Sequence, residues 1–136
     1  MTPQTDSQSK TIHLLLVSST PQTIANYTSL LDAHEQVHPI LAESGQAALE
    51  KVKTATFDVV ILDDAITDMP AFELAKAMLS VNPMLNCAAI SRLSAEAFHD
   101  ASEGLGLLMQ LPPSPSQSHI ENLIFHLKKI IALSSI

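Results

Sequence analysis

Five short apolar runs, each followed by an amphipathic stretch, organise this 136-residue chain, and that alternation restricts it to repeated βα units. The strongest run is Phe57-Asp58-Val59-Val60-Ile61-Leu62, which ends in Asp63-Asp64. Ile12-His13-Leu14-Leu15-Leu16-Val17 is nearly continuous in apolar residues, as a strand covered on both faces should be. His38-Pro39-Ile40-Leu41 reads as a short strand. Pro39 has no N–H to give to a ladder, so this strand belongs at a sheet edge. Cys87-Ala88-Ala89-Ile90 and Leu107-Leu108-Met109-Gln110-Leu111 complete the set.

The stretches between carry helix signals. Ser19 or Thr20 is placed to cap a first helix, Pro21 suits its first turn, and Ile24, Tyr27 and Leu31 recur at helical spacing. Ser44-Gly45 opens a second, with Ala48, Leu49 and Val52 on one face. After a loop through Asp68-Met69-Pro70, a third is expected from about Ala71 to Ser80, where Asn82-Pro83 stops it. A fourth is expected from Ser94 to Glu103, broken by Gly104 and Gly106. Past the rigid turn Pro112-Pro113-Ser114-Pro115, Ser118 and Glu121 form a capping-box pattern. The helix they open carries an apolar stripe of Ile120, Leu123, Ile124, Leu127, Ile130 and Ile131. Phe125, beside Ala132, falls off that stripe and is a candidate interface residue. Five such units with short links imply a mostly parallel five-stranded sheet with helices on both faces. Ligands of such sheets bind beyond the carboxyl ends of the strands. The tips to inspect are therefore Ser18-Ser19-Thr20, Asp63-Asp64, Ser91-Arg92 and Leu111-Pro112.

Composition narrows the classes. The length suits one domain, expected over residues 11–136 after a polar, disordered lead-in over residues 1–10. The net charge is −7 and Arg92 is the only arginine, which argues against nucleic-acid binding through phosphates. No apolar run is long enough to cross a bilayer, and the polar N-terminus lacks a signal-peptide core. With the single cysteine Cys87, no internal disulfide can form; a cytoplasmic protein is the expectation. The six histidines are too dispersed for metal-ligand spacing. None is spaced to activate Ser18 or Ser19 as a nucleophile.

In order and spacing, the strand tips resemble the receiver domain of bacterial two-component response regulators, over about Thr11 to Leu133. Glu43-Ser-Gly-Gln-Ala-Ala-Leu-Glu-Lys-Val resembles the family's Gly-x-x-Ala-Leu helix start. Phe57-Asp-Val-Val-Ile-Leu-Asp63 resembles the strand ending in the phosphorylated aspartate, and Phe72-Glu73-Leu74 follows without a gap. Gly104-Leu-Gly-Leu-Leu-Met-Gln-Leu-Pro112 keeps the spacing of the last strand and its Lys-Pro step. The resemblance implies a doubly wound (βα)5 three-layer sandwich, flavodoxin-like, with strand order 2-1-3-4-5. It also implies a phosphoacceptor position at Asp63 and a switch hydroxyl at Ser91.

The departures carry the functional reading. Receivers hold a magnesium ion with an acidic pair after the first strand; Ser18 and Ser19 stand there. Receivers grip the phosphoryl oxygens with a lysine before the last proline; Leu111 stands there. The Met-Pro step after the aspartate becomes Ile66-Thr67, a glycine becomes Ala71, and the switch aromatic becomes Leu108. Asp64 could join the pocket only if the strand has already turned, because adjacent side chains of a strand face opposite ways. Phosphoryl transfer to a carboxylate depends on charge neutralisation, and the aligned residues here lack it. The expectation is a non-enzymatic, atypical receiver with weak or absent Mg²⁺ binding and no cofactor. It would work through a protein partner, a histidine kinase among the candidates, or as a homodimer through the last helix, with no nucleic acid and no membrane.

Two alternatives stay open. One is a functional phosphorelay receiver phosphorylated on Asp63, with Asp64 or a partner supplying what is missing. The other is a flavodoxin-like FMN-binding electron carrier, which Ser18-Ser-Thr-Pro-Gln-Thr23 partly resembles. In that loop Pro21 removes a backbone donor where a phosphate needs one.

Overall fold

The computed structural model describes residues 11–134, so the expected lead-in over residues 1–10 lies outside the described residues. Five strands, β1 (Ile12–Val17), β2 (Val37–Ala42), β3 (Val59–Asp63), β4 (Cys87–Ile90) and β5 (Gln110–Leu111), alternate with five helices. These are α1 (Pro21–Leu31), α2 (Gly45–Thr54), α3 (Ala71–Val81), α4 (Ala95–Ala101) and α5 (Gln117–Ser134). All strand pairs are parallel, in the order β2-β1-β3-β4-β5, which is the doubly wound arrangement the sequence implies. Pro39 lies in β2, opposite Leu14 of β1, at the edge.

Period-two alternation sorts the apolar runs onto two cores. Leu14, Leu16, Val59 and Ile61 face one way, with Tyr27 and Leu31 of α1 and Ile120, Leu123 and Leu127 of α5. Leu15, Val17, Val60 and Leu62 face the other, with Ala48 and Val52 of α2 and Leu74, Ala75 and Met78 of α3. This two-sided burial is why β1 and β3 read as almost unbroken apolar runs. Cys87 is buried in the second core, where burial pushes its thiol up to about 11.

Three elements depart from expectation. β5 pairs only at Gln110 and Leu111; the run from Leu107 is split, Leu107 packing on the second core and Leu108 and Met109 on the first. α4 is shorter than Ser94–Glu103, with Ser94 as its N-cap and Ser102 at its C-cap, ahead of the positive-φ Gly104 and Gly106. α5 begins before the Ser118–Glu121 pattern. Ser116 precedes it, and its backbone N–H and hydroxyl lie 3.0 and 2.9 Å from Nδ1 of His119. A histidine ring nitrogen thus takes the place of the expected glutamate, two residues earlier. In α1 Thr20 occupies the cap position without a side-chain capping bond.

The N-terminus of α2 is capped twice. Ser44 Oγ accepts from the Ala47 N–H (3.0 Å), and Asp68, from the loop before α3, accepts from the N–H groups of Gly45 (2.8 Å) and Gln46 (3.0 Å). These two donors hold the Asp68 carboxyl below its ordinary value. A carboxyl lowered on folding contributes stability above its unfolded-state value, and that contribution is lost as pH falls through the lowered folded value. Asp68→Asn should therefore be less stable than the unsubstituted protein at neutral pH. Urea unfolding at about pH 7 and about pH 2.5 should show the gap closing in acid; a gap that persists in acid contradicts the assignment.

Among the described residues, no helix is long and apolar enough to cross a membrane.

Candidate functional site

The parallel registers gather the predicted tips at one end of the sheet. Val17 pairs with Leu62, Asp63 with Ile90, and Ile90 with Leu111. Ser18, the residue after Val17, thereby comes beside Asp63. Its hydroxyl donates to Asp63 Oδ2 at 2.7 Å, with both residues buried (0% and 1% exposed). Asp63 Oδ1 accepts from the Ala65 N–H at 3.3 Å. Ser18 Oγ also accepts from the Thr20 N–H at 3.1 Å, which fixes the start of α1.

Alternation puts Ser18 and Asp63 on the same face as Leu16 and Ile61, the face that α1 covers. Tyr27 of α1, fully buried, donates its hydroxyl to the Pro112 carbonyl. Burial first, and the negative charge of Asp63 second, push that phenol well above its ordinary value. Leu111 is 2% exposed and belongs to the same apolar core. Where receivers present an ammonium to the site, this chain packs a hydrocarbon.

Ser19 does not join Asp63. Its hydroxyl donates to the Glu43 carbonyl at 2.7 Å and accepts from the Thr67 N–H at 3.3 Å, tying the loops after β1, β2 and β3 together. Ser91 Oγ accepts from the Leu93 N–H at 3.1 Å, within its own turn.

The Asp64 N–H bonds the Ile90 carbonyl at 3.0 Å, and its carboxyl stays near enough to Asp63 to interact with it. The same carboxyl meets Arg92: the guanidinium lies 3.1 Å from Asp64 Oδ1, and the Arg92 backbone N–H donates to Oδ2 at 3.2 Å. Partial burial, reinforced by the adjacent Asp63, raises the Asp64 carboxyl, while the Arg92 contacts pull against the shift. Arg92 stood at one of the strand tips singled out in the sequence, but its pairing with Asp64 was not foreseen. That pairing spans 28 positions, and the only signal was a lone arginine directly after Ser91. Beside this pair, Ala71 and Phe72 of α3 and Ser91 and Leu93 after β4 line a cavity of about 320 Å³.

The donors do not compose a magnesium site of the kind the resemblance implies. Magnesium seeks near-octahedral oxygen ligands, usually with at least one free carboxylate. Asp63 accepts a hydrogen bond from Ser18, Asp64 is ion-paired with Arg92 and Ser19 is turned away. Among the described residues, no three His, Cys, Asp or Glu side chains converge as a ligand set.

Phe125 is 58% exposed on α5, as its place off the stripe implied. Lys129 Nζ lies 5.3 Å from its ring centroid.

No protein-family model matches the sequence, and no curated protein sequence does. Solved structures do match the fold. The signal receiver domain of an HD domain-containing protein from Pseudomonas fluorescens Pf-5 superposes with a TM-score of 0.81 at 13% identity, over 93% of each chain. The signal receiver domain of the putative response regulator NarL from Mycobacterium tuberculosis gives 0.77 at 21% identity, over 88% of this chain and 98% of that one. The receiver domain of sensor histidine kinase PA1611 from Pseudomonas aeruginosa PAO1, with a magnesium ion coordinated in its active site cleft, gives 0.74 at 12% identity, over 88% and 96%. Strand order, helix placement and these superpositions agree that the chain has the receiver-domain fold of two-component response regulators.

Proposed function

We propose that this chain is an atypical receiver module of two-component signalling that works through protein contacts, without phosphoryl transfer at Asp63. The observation that carries the reading is the buried Ser18–Asp63 hydrogen bond at 2.7 Å. A neutral hydroxyl occupies the position of an acidic metal ligand and satisfies the carboxylate internally. A bound phosphoryl group would add roughly −1.5 to −2 charge. Leu111 supplies no cation, and the guanidinium of Arg92 is spent on Asp64. Weak or absent Mg²⁺ binding follows from the same donor set.

A protein partner is supported by the exposed Phe125 on α5 and by the largely apolar cavity beside Asp64. A second copy docking through α5 and a kinase are both consistent with that surface. Incubating the protein with magnesium and acetyl phosphate, then measuring intact mass, tests the reading. The expected spectrum shows only the unmodified chain; a stable phosphoryl adduct on Asp63 would overturn the proposal.

Arg92 favours one second reading. It is a cation one residue beyond Ser91 and could leave Asp64 for a phosphoryl group on Asp63, making a working relay with an arginine in the lysine's role. The same assay separates the two, because an adduct that vanishes in Arg92→Gln is the signature of the relay.

A further inference from the structure

The parallel register of β1 and β2 sets His13 directly opposite His38. Partnered residues of neighbouring strands project from the same face of the sheet. Both histidines are exposed, and their ring centroids are 6.3 Å apart with the planes inclined by 35°. Among the described residues neither imidazole has a hydrogen-bond partner; the polar contacts of His13 run through its backbone, whose N–H donates to Asp58 Oδ2 at 2.8 Å. Two unengaged nitrogen donors therefore stand side by side near the amino ends of the strands, at the opposite end of the sheet from Asp63.

We propose that His13 and His38 form a two-imidazole site for a borderline divalent transition ion such as Zn²⁺ or Ni²⁺. Imidazole nitrogen suits these ions, whereas Mg²⁺ and Ca²⁺ prefer oxygen. With Zn–N bonds of about 2.0–2.1 Å and tetrahedral angles, the centroids of two ligating rings lie roughly 5 Å apart. The observed 6.3 Å is about 1 Å wider, a gap that small side-chain rotations of two exposed histidines close. Asp58 is held by the His13 backbone, so the protein supplies two ligands and water completes the shell. This agrees with the lack of any three-residue ligand set among the described residues. A bound ion would tie the edge strand β2 to β1. Sequence spacing concealed the pair, because 25 positions separate residues that the register makes neighbours.

The test is a Zn²⁺ titration of the full, untagged chain, followed by ¹H–¹⁵N spectra that include the histidine side chains. Saturable shifts are expected at His13, His38 and their strand neighbours, and affinity should fall roughly tenfold or more in His13→Gln or His38→Gln. Both positions are exposed, so the variants should keep the circular dichroism spectrum and melting temperature of the parent without metal. Shifts centred on His119, His126 or the aspartates would overturn the proposal. So would unchanged affinity in the His13→Gln/His38→Gln double variant, or no saturation at millimolar Zn²⁺.

Discussion

Tyr27→Ala should cost about 3–5 kcal/mol of folding stability, the usual price of deleting a large buried side chain. A domain of this size is typically stable by only about 5–15 kcal/mol. Tyr27 is fully buried where α1 crosses the first core, and it packs among Leu14, Leu16, Ile61 and residues of α5. Its hydroxyl also holds the Pro112 carbonyl, and so fixes the loop that follows Leu111. Tyr27→Phe separates these roles. Keeping the ring and losing one hydrogen bond should cost about 0.5–1.5 kcal/mol. Urea unfolding reads both, as a fall in midpoint with the slope unchanged. If Tyr27→Ala lost less than about 1 kcal/mol, the ring would not be the keystone that its burial implies.

Ser18→Asp should be nearly as damaging, for an electrostatic reason that bears on function. Ser18 donates a hydrogen bond to a fully buried carboxylate at 2.7 Å. An aspartate there sets two carboxyl groups together with no cation between them. Either one protonates or the pair remains an uncompensated buried charge, at roughly 3–5 kcal/mol. The substitution also restores one acidic residue of the receiver pattern. Magnesium should therefore recover part of the loss in Ser18→Asp and leave the unsubstituted protein unchanged. Melting curves with and without MgCl₂ measure this directly. A rise in the melting temperature of the unsubstituted protein would mean that Ser18 and Asp63 already hold the ion.

These expectations show where the sequence was informative. β1 and β3 were legible because burial on both faces leaves almost no polar residue in the run, and β2 because Pro39 cannot donate in the ladder. The two-core arrangement followed from alternation along those strands. Element ends were less legible. The apolar run from Leu107 forms ladder only at its last two residues, although the Leu108 N–H and the Met109 carbonyl already bond to β4. The cap of α5 was missed because a histidine, a residue outside the usual pattern, supplies the acceptor at Ser116.

The site was legible as positions and only partly as contacts. The sequence placed Ser18, Asp63, Ser91 and Leu111 at strand tips, and the registers put them there. It treated Ser18 and Ser19 as equivalent. The backbone separates them: Ser18 follows the buried alternation down to Asp63, and Ser19 points out to the Glu43 carbonyl. Nor could spacing show that Arg92 closes on Asp64, since a parallel sheet joins residues that are remote in sequence. That ion pair is exposed, with side chains 63% and 34% accessible, and such pairs contribute at most about 1 kcal/mol. Arg92 therefore partners the Asp64 carboxylate without adding much to the stability of the fold.

The charge balance at Asp63 is best probed without asking the site to perform chemistry. Beryllofluoride with magnesium imitates an aspartyl phosphate, so its binding reports whether the pocket can hold such a group at all. Followed by amide resonances, the titration should leave Asp64, Ala65 and Ser91 unshifted at saturating reagent, because the pocket offers a serine and a leucine where charge must be neutralised. Saturable shifts centred on those residues would show a competent phosphoryl site and contradict the account.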